Sequence, residues 1–200
     1  NDTHPAIAVA EMMRILVDIH DVPWETAWKM TVGTFSYTNH TLLPEALETW
    51  PVPLLERLLP RQMQIIYLIN ALHLDELKKR EDVDGGLLSA LSIIDEQGGR
   101  RVRMGHLAYI GSHKINGVSA LHSDLMKVTV FRDLNTAYPN RIVNKTNGIT
   151  FRRWLHQSNP RLKNLLVETL GPKVLDDEKE LPKLAAFVDD AAFQDSFAAV

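Results

Sequence analysis

The sequence predicts an α/β protein that is rich in helix and contains only a few short strands. Apolar residues recur at three-and-four spacing in several segments, which is the pattern of a helix with one buried face. Prolines such as Pro5 and Pro23 stand where such segments begin, a position at which the missing N–H of proline costs nothing. Pairs of residues that contain glycine interrupt the segments and mark the turns between them.

The longest helices are predicted in the first 80 residues. One helix runs from Pro5 to about His20, and its apolar face consists of Val9, Met12, Met13, Leu16 and Ile19. A second runs from Pro23 to about Thr34 and offers for packing the side chains of Trp24, Trp28 and Met30. A third runs from about Arg61 to Arg80, with a wide apolar surface formed by Ile65, Ile66, Leu68, Ile69, Leu72 and Leu77. The basic residues 78–80 suit the negative end of that helix.

Glycine-containing pairs divide the middle of the chain. Asp84-Gly85-Gly86 is predicted to break it, and residues 92–95 are predicted to form a small hairpin with residues 101–103 around Gly98-Gly99. Asn116-Gly117 is predicted to be a tight turn. A helix-like pattern then runs from Val118 to about Val130 through the apolar residues Leu121, Leu125, Met126 and Val128.

The last part of the chain is predicted to be a turn followed by helices. Asn147-Gly148 is a strong turn signal, because Asn tolerates positive φ and Gly adopts it without steric cost. After Trp154, a leucine-rich pattern predicts a helix that ends at Gly171-Pro172. Residues 181–188 and 191–200 are further helical candidates.

Composition excludes several classes of protein. The 200 residues are 45% hydrophobic and 24% charged, which is ordinary for a globular protein. A net charge of −3 argues against a nucleic-acid partner, and the lack of cysteine excludes a disulfide framework and thiolate ligands. No apolar run reaches the roughly 18 residues that a membrane span requires, so no membrane partner is predicted. The chain begins without methionine or a signal peptide and is expected to be an internal fragment.

Histidine spacing gives little support for a metal site. Asp2 and His4 stand two residues apart and could share an ion, but a third ligand is not found at a recognisable spacing. His106, His113 and His122 are separated by intervals that fit no standard zinc site. These three are interpreted as packing or channel-side residues, and no metal is predicted.

Two charged patterns have alternative interpretations. Glu45 and Glu48 would share one side of a helix and suggest a glycosidase acid/base pair, but they are too close together to span a scissile bond. They are therefore interpreted as solvated helix residues. Arg100, Arg101 and Arg103 suggest phosphate binding, but a solvated strand face is favoured because an anion-binding loop motif is lacking.

The most informative stretch is 144–154, which reads N-K-T-N-G-I-T-F-R-R-W. Short amide and hydroxyl side chains on a bend can bind a polyhydroxylated ligand, while two guanidinium groups and an indole can pair with an anion and stack on a ring. A polar turn between domains has a similar composition, so both interpretations stay open on the residues alone.

This stretch resembles the N-K-T-N-G-I-T-P-R-R-W signature of the glycogen, starch and maltodextrin phosphorylases, with Phe151 where the family usually has proline. Further stretches are similar to that family in order and spacing: N-D-T-H-P at 1–5, Y-T-N-H-T at 37–41, L-P-R at 59–61 and G-S-H-K-I-N-G-V at 111–118. The resemblance covers essentially the whole chain. The three N-x-S/T matches, at Asn1, Asn39 and Asn144, fall inside these motifs and are therefore not interpreted as glycosylation sites.

The resemblance implies a fold and a reaction. The family has two Rossmann-like domains of the GT-B glycosyltransferase type that face each other across a cleft. Residues 1–143 would end the N-terminal domain, and residues 144–200 would form the domain junction and the start of the C-terminal, cofactor-binding domain. The reaction implied is attack of inorganic phosphate on the terminal α-1,4-linked glucose of a glucan, which gives α-glucose 1-phosphate with retained configuration. The parent would be a cytoplasmic homodimer.

The resemblance also implies roles for individual residues. His40 and Asn147 would bind glucose, and the main-chain carbonyl of His40 would have a catalytic role because it stabilises the developing cation. The rest of the sugar pocket would be lined by Asp2, His4, Thr41 and Val118. Trp154 would contact the cofactor, pyridoxal 5'-phosphate. The family's Schiff-base lysine and its phosphate-binding residues correspond to positions beyond Val200, so the isolated chain is expected to be inactive.

Two alternatives of other classes are retained. The chain could belong to a helical glucan-binding or regulatory module without catalysis, or to a glycosyltransferase of the same architecture that uses a sugar nucleotide. Product release that depends on inorganic phosphate would distinguish a phosphorylase from both.

Overall fold

The computed structural model describes residues 1–81 and 83–200, and the chain divides into two compact units, Asn1–Thr146 and Asn147–Val200. The helices of the first unit are α1 (Ala8–Arg14), α2 (Trp24–Thr34), α3 (Val52–Leu58), α4 (Pro60–Lys78), α5 (Gly85–Leu91), α6 (Met104–Ile110), α7 (Ala120–Val128) and α8 (Arg132–Ala137). Its strands are β1 (Ser36–Asn39), β2 (Thr49–Pro51), β3 (Ile94–Asp95), β4 (Arg101–Arg103), β5 (Lys114–Gly117) and β6 (Ile142–Asn144). These elements confirm the predicted helix-rich α/β class with short strands.

The central sheet of the first unit is parallel. Its order is β1-β5-β6, and both pairs of neighbouring strands run in the same direction. In its register, Asn39 lies beside Gly117, and Gly117 lies beside Asn144. All three strands therefore end level with one another, at one edge of the sheet.

The second sheet contains the predicted hairpin. β3 and β4 pair antiparallel, and the turn between them contains Gly98 and Gly99, which have φ of +63° and +96°. These angles explain the glycine pair, because other residues rarely adopt them. β2 adds a third strand on the other side of β4. That strand was not predicted, since it ends at Pro51 and a second proline, Pro53, follows closely.

A continuous core holds the first unit together. It is built from the inner faces of α1 and α4, from nearly all of α6, in which His106 is partly buried, and from the central strands. The rings of Tyr37, Tyr109 and Phe131 meet at its centre, with ring centroids 6.0 Å apart for Tyr37 and Phe131 and 5.4 Å apart for Tyr109 and Phe131. The core thus connects β1, the first of the strands that end at the common edge, to the helices behind it.

The first helix is shorter than predicted. Residues 3–7 form turns, and α1 gives way at Ile15–Ile19 to a π-helix in which the His20 N–H donates to the Ile15 carbonyl at 3.2 Å. The wider turn shifts the helical register, so Ile19 is exposed and does not belong to the predicted apolar face. Met30 in α2 is also exposed, whereas the helix itself confirms the predicted bounds.

α4 confirms the predicted long helix, but part of its predicted apolar surface faces outward. Leu68 and Leu72 are exposed, and the buried face instead includes His73 between Ile69 and Leu77. At 3.6 residues per turn, His73 and Leu77 point in the same direction as Ile69, while Leu68 is more than a quarter turn away. The sequence pattern did not reveal this buried face, because it includes a polar residue, His73.

Two predicted turns are wrong. Asn116-Gly117 forms the end of β5, and Asn147-Gly148 lies in a stretch without regular structure in which neither residue has a positive φ. Asp84-Gly85-Gly86 lies between α4 and α5, and the two glycines begin α5. The Asp84 carboxylate accepts the Leu87 N–H at 2.7 Å and caps this helix.

α7 confirms the helix predicted after Val118, yet it turns most of its apolar residues outward. Leu121, Leu125 and Val128 are exposed, while Ser123 and Met126 are buried. The reason is the close approach of the helix to β5, which only the small residues Ser123 and Gly117 permit.

The second unit is helical. It contains a π-helix at Arg152–Gln157, α9 (Pro160–Leu170), 3-10 helices at Pro172–Leu175 and Glu178–Phe187, and α10 (Ala191–Ala198). Gly171 has φ of +85° and ends α9, as predicted. Phe151 has φ of −56°, which lies within the range of proline, so the backbone there suits either residue.

Candidate functional site

The level ends of β1, β5 and β6 form the candidate site. In open parallel sheets, ligands bind outside the carboxyl ends of the strands, where the connecting loops begin. His40 and Thr41 follow β1 directly, Val118 follows β5, and Asn144 ends β6 at the start of the 144–154 stretch. The structure therefore brings three separate sequence motifs to one edge of one sheet.

His40 lies at the exposed tip of this edge. Its Nε2 lies 2.6 Å from the side-chain oxygen of Asn1, and a neutral ring that donates to this oxygen has Nδ1 as its acceptor. The Thr41 N–H donates to Asn39 Oδ1 at 3.2 Å, and the Thr41 hydroxyl accepts the Leu43 N–H at 3.1 Å. These contacts hold the loop after β1 in a defined shape.

The first residues of the chain lie beside β1. The Asp2 N–H donates to the Thr38 carbonyl at 2.9 Å, and the Asp2 carboxylate accepts the Thr3 N–H at 2.8 Å. Asp2 has φ of +60°, a conformation that Asp tolerates better than most residues. Asp2, His4, His40, Thr41 and Val118 thus belong to the same end of the first unit.

The interpretation of Glu48 as a solvated helix residue is wrong. Glu48 lies between a 3-10 helix at Pro44–Ala46 and β2, so it does not share a helix face with Glu45. Its Oε2 accepts the Thr3 hydroxyl at 3.1 Å and lies 3.3 Å from His4 Nδ1. Its Oε1 accepts the Trp50 indole N–H at 2.9 Å. The carboxylate of Glu48 is therefore held by partners within the protein, and water is not its main partner.

A buried amide supports the edge from below. Asn39 is fully buried, donates to the Tyr37 hydroxyl at 3.1 Å, and accepts from His122 Nε2 at 3.0 Å. His122 comes from α7, which therefore contacts the end of β1, directly before His40. On the other side, Ser123 Oγ lies 3.1 Å from Asn144 Oδ1. The contact between Asn39 and His122 was not predicted, because the two residues are 83 positions apart in the chain.

Two glycines of the 111–118 motif, Gly111 and Gly117, serve internal packing. A Cβ at Gly117 would lie 2.1 Å from Ser123 Oγ, and a Cβ at Gly111 would lie 2.6 Å from Val9. The close approach at each glycine is between parts of the same unit.

His106 is partly buried and His113 is exposed, and each has a ring nitrogen close to a main-chain carbonyl. His106 Nε2 lies 3.0 Å from the Ala90 carbonyl, and His113 Nδ1 lies 2.7 Å from the Phe35 carbonyl. Burial lowers the pKa of His106 to about 4 and that of His73 to about 4, because a charged imidazole is poorly solvated there. Within residues 1–81 and 83–200, no group of three or more potential ligands could hold a metal ion.

The arginines around β4 have partners within the protein. Arg103 donates to the Ser89 carbonyl at 3.0 Å and forms an ion pair of 3.2 Å with Asp95. Arg101 donates to the Thr49 hydroxyl at 2.8 Å, and Arg100 pairs with Glu96 at 3.0 Å. The favoured interpretation as a solvated strand face is therefore wrong for Arg103 and Arg101, which tie loops together.

Asn147 and Trp154 belong to the second unit. Asn147 is exposed, and the side chain of Trp154 is exposed at 63% of its surface, next to the exposed Arg152 and Arg153. All four side chains are accessible on this unit. Trp154 lies on the π-helix, a local irregularity that is frequent at functional sites.

Two clefts of the first unit lie near the candidate site or behind it in the fold's helices. One of about 290 Å³ lies between α2 and α4 and is lined by residues that include Trp24, Trp28, His73, Tyr138 and Arg141. Another of about 190 Å³ runs along the first residues of the chain and β1. Neither is lined by His40, Thr41 or Val118, whereas Asp2 lines the second.

In the part of the chain that the structure describes, every helix is too short or too polar to span a membrane.

Comparison with known proteins agrees with the motifs. A family model for carbohydrate phosphorylases matches residues 1–200. The liver form of glycogen phosphorylase from Bos taurus is 51% identical over 193 residues, which is 96% of this chain and 23% of the relative. Glycogen phosphorylase from Synechocystis is 51% identical over 200 residues, all of this chain and 24% of the relative, and that from Chlamydia pneumoniae is 46% identical over 200 residues, again 24% of the relative.

The chain spans about a quarter of the length of these relatives. Identity of about one half along essentially its entire length goes far beyond a shared fold. The chain belongs to the carbohydrate phosphorylase family.

Proposed function

We propose that this chain is the part of an α-glucan phosphorylase that carries its glucose-binding loops. The reaction is phosphorolysis: inorganic phosphate attacks the anomeric carbon of a terminal α-1,4-linked glucose and yields α-glucose 1-phosphate with retained configuration. The observation that carries the proposal is the position of His40, Thr41 and Val118 at one sheet edge, in a chain that is about one-half identical to glycogen phosphorylases.

His40 is the central residue of the proposed site. With Nε2 held by Asn1, its Nδ1 can accept a hydrogen bond from a sugar hydroxyl. Its main-chain carbonyl can stabilise the positive charge that develops at the anomeric carbon, because a fixed dipole acts without reorganisation. Asp2, His4, Thr41 and Val118 line the pocket around it, and Asn147 is a second glucose ligand.

The second unit would contact the cofactor. The exposed indole of Trp154 and the exposed guanidinium groups of Arg152 and Arg153 suit a group that has an aromatic ring and a phosphate. We assign Trp154 as a contact of pyridoxal 5'-phosphate. When bound, this cofactor supplies a phosphate that donates and accepts a proton.

The architecture of the whole protein is also proposed. Residues 1–143 would complete the N-terminal domain, and residues 144–200 would form the junction and begin the C-terminal domain of a GT-B fold with two Rossmann-like domains. The whole protein would be a cytoplasmic homodimer, and this chain alone would not release product.

The test of the reaction is release of glucose 1-phosphate from a maltooligosaccharide by the whole protein. Release should require both inorganic phosphate and pyridoxal phosphate. A folded, cofactor-loaded protein that binds glucan without releasing product would instead be a glucan-binding or regulatory module. Transfer from a sugar nucleotide without phosphate would identify a glycosyltransferase.

The test of the site uses His40→Ala and Asn147→Ala in the whole protein. Each should lower kcat/KM by roughly tenfold or more, since a hydrogen bond of about 1.4 kcal/mol corresponds to a factor of ten. The melting temperature should change little, because both side chains are exposed. His20→Ala is the control, an exposed histidine after the π-helix at Ile15–Ile19. Unchanged rates with sharply lower melting temperatures would make His40 and Asn147 structural.

A further inference from the structure

We propose that Glu48 is a positioning residue that holds the imidazole of His4 in one tautomer, with its proton on Nδ1. The other ring nitrogen, Nε2, is then a hydrogen-bond acceptor for a sugar hydroxyl. This inference rests on the proposed function for the identity of the ligand, but the tautomer itself can be measured independently.

The carboxylate of Glu48 is fixed by several neighbours. One oxygen accepts the Trp50 indole N–H at 2.9 Å, and the other accepts the Thr3 hydroxyl at 3.1 Å. The Glu48 main-chain carbonyl accepts the Met104 N–H at 3.1 Å, so the backbone is anchored as well. Thr3 is buried, so its hydroxyl holds this carboxylate oxygen from a fixed position.

His4 contacts the supported oxygen. Its Nδ1 lies 3.3 Å from Glu48 Oε2, the same atom that accepts the Thr3 hydroxyl. The side chain of Glu48 is only 20% exposed, whereas that of His4 is 77% exposed. One edge of the ring thus meets a fixed carboxylate, and the rest faces outward at the end of the unit that carries His40.

The chemistry of the carboxylate decides the tautomer. An ionised carboxylate accepts hydrogen bonds and cannot donate them, so its charge favours the tautomer with the proton on the nearer nitrogen, Nδ1. In the neutral imidazole, the outward nitrogen then has the free lone pair. A sugar hydroxyl can donate a hydrogen bond to that lone pair. The pair Glu48–His4 therefore favours a ligand group that donates over one that can only accept.

This arrangement differs from an ordinary surface ion pair. Exposed ion pairs typically contribute little to stability, because both long side chains lose conformational freedom when they pair. Here the carboxylate is already ordered by Thr3 and Trp50, independently of His4. The pair is therefore suited to hold the imidazole in one orientation.

The tautomer is tested by 15N NMR of this chain with labelled histidine. The chain has eight histidines, and His4→Gln assigns the resonances of His4. At a pH where the ring is neutral, the wild type should show protonated Nδ1 and unprotonated Nε2. In Glu48→Gln the preference should be lost, because an amide presents both an acceptor and donors. Glu45→Gln is the matched control, an exposed glutamate three residues away, and should leave His4 unchanged.

The functional consequence is tested in the whole protein. Glu48→Gln and His4→Gln should each lower kcat/KM for glucan phosphorolysis by about tenfold, as expected for loss of one oriented hydrogen bond. The double variant should lose no more than either single variant, because both changes remove the same interaction.

Either of two results overturns the proposal: a wild-type His4 protonated on Nε2, or losses that multiply in the double variant. If the wild-type whole protein releases no glucose 1-phosphate, the proposed function fails, and the NMR measurement still decides the role of Glu48 toward His4.

Discussion

Gly117 lies at the last position of β5, where α7 begins to cross the strand. A Cβ there would lie 2.1 Å from Ser123 Oγ and 2.8 Å from Ser123 Cα, so more than a side-chain rotation would be needed to make room. Since Val118 follows directly, the same contact sets the position of a proposed pocket residue. A glycine is required here by packing and not by a turn.

Gly117→Ala is therefore expected to destabilise the first unit by about 1–3 kcal/mol, the usual cost of forcing extra volume into a packed site. Gly33→Ala is the control, since no atom lies within 4 Å of its added Cβ and it sits in α2. It should stabilise by about 0.5–1 kcal/mol through helix propensity. Urea denaturation measures both, and equal effects of the two variants would show that the contact with Ser123 is not tight.

The helix α5 illustrates how a short element is held by its ends. Its start is capped by Asp84, and its last carbonyls are bound by Arg103, which donates to Ser89 at 3.0 Å and to Ser92, just past the helix, at 3.2 Å. A cation at this end also interacts favourably with the helix dipole. Arg103 thereby fastens α5 to the sheet β2-β4-β3.

Arg103→Ala should cost about 2–3 kcal/mol of unfolding free energy, because several carbonyls and Asp95 lose a charged donor. Arg100→Ala, three residues earlier, should cost less than about 1 kcal/mol, since its pair with Glu96 is on the surface. Thermal unfolding of the two variants checks the difference. Equal costs would contradict this prediction and would support the interpretation of Arg103 as part of a solvated strand face.

The stability of the whole chain should depend on two buried imidazoles, His73 and His106. His73 packs on Tyr138, with ring centroids 5.7 Å apart, and its Nδ1 lies 2.7 Å from the Tyr138 hydroxyl. Burial lowers the pKa of each histidine from 6.5 to about 4. The folded state therefore binds fewer protons than the unfolded state between these values. Stability is complete above pH 6.5 and falls as the pH decreases toward 4.

Each histidine should account for about 3 kcal/mol of this loss, at 1.36 kcal/mol per pH unit. Urea unfolding between pH 7 and pH 4.5 measures the slope. Glu11 does not interfere, because its pKa is lowered to about 2 by Arg14 and its contribution is lost only below its ordinary value of 4.5. His73→Gln should be less stable at pH 7 but should show a shallower slope. A slope equal to that of the wild type would mean that His73 is accessible to protons.

Structural features that depend on residues close together in the sequence were predicted correctly. The starts at Pro23 and near Arg61, the hairpin around Gly98-Gly99 and the end of α9 at Gly171 follow from local backbone preferences. The motifs also identified the family, because short loops with rare combinations of polar residues are highly specific. Local chemistry was thus sufficient for the class of fold and for the candidate residues.

Only the tertiary structure decided which residues meet. Thr3 reaches Glu48 across 45 positions, and Asn39 reaches His122 across 83. It also decided that α7 turns Leu121 outward and that Gly117 ends a strand. Such contacts depend on how elements pack, and packing depends on the combined shape of surfaces that are far apart in the chain. For that reason the sequence could name His4 and His40, while only the folded chain could supply their partners Glu48 and Asn1.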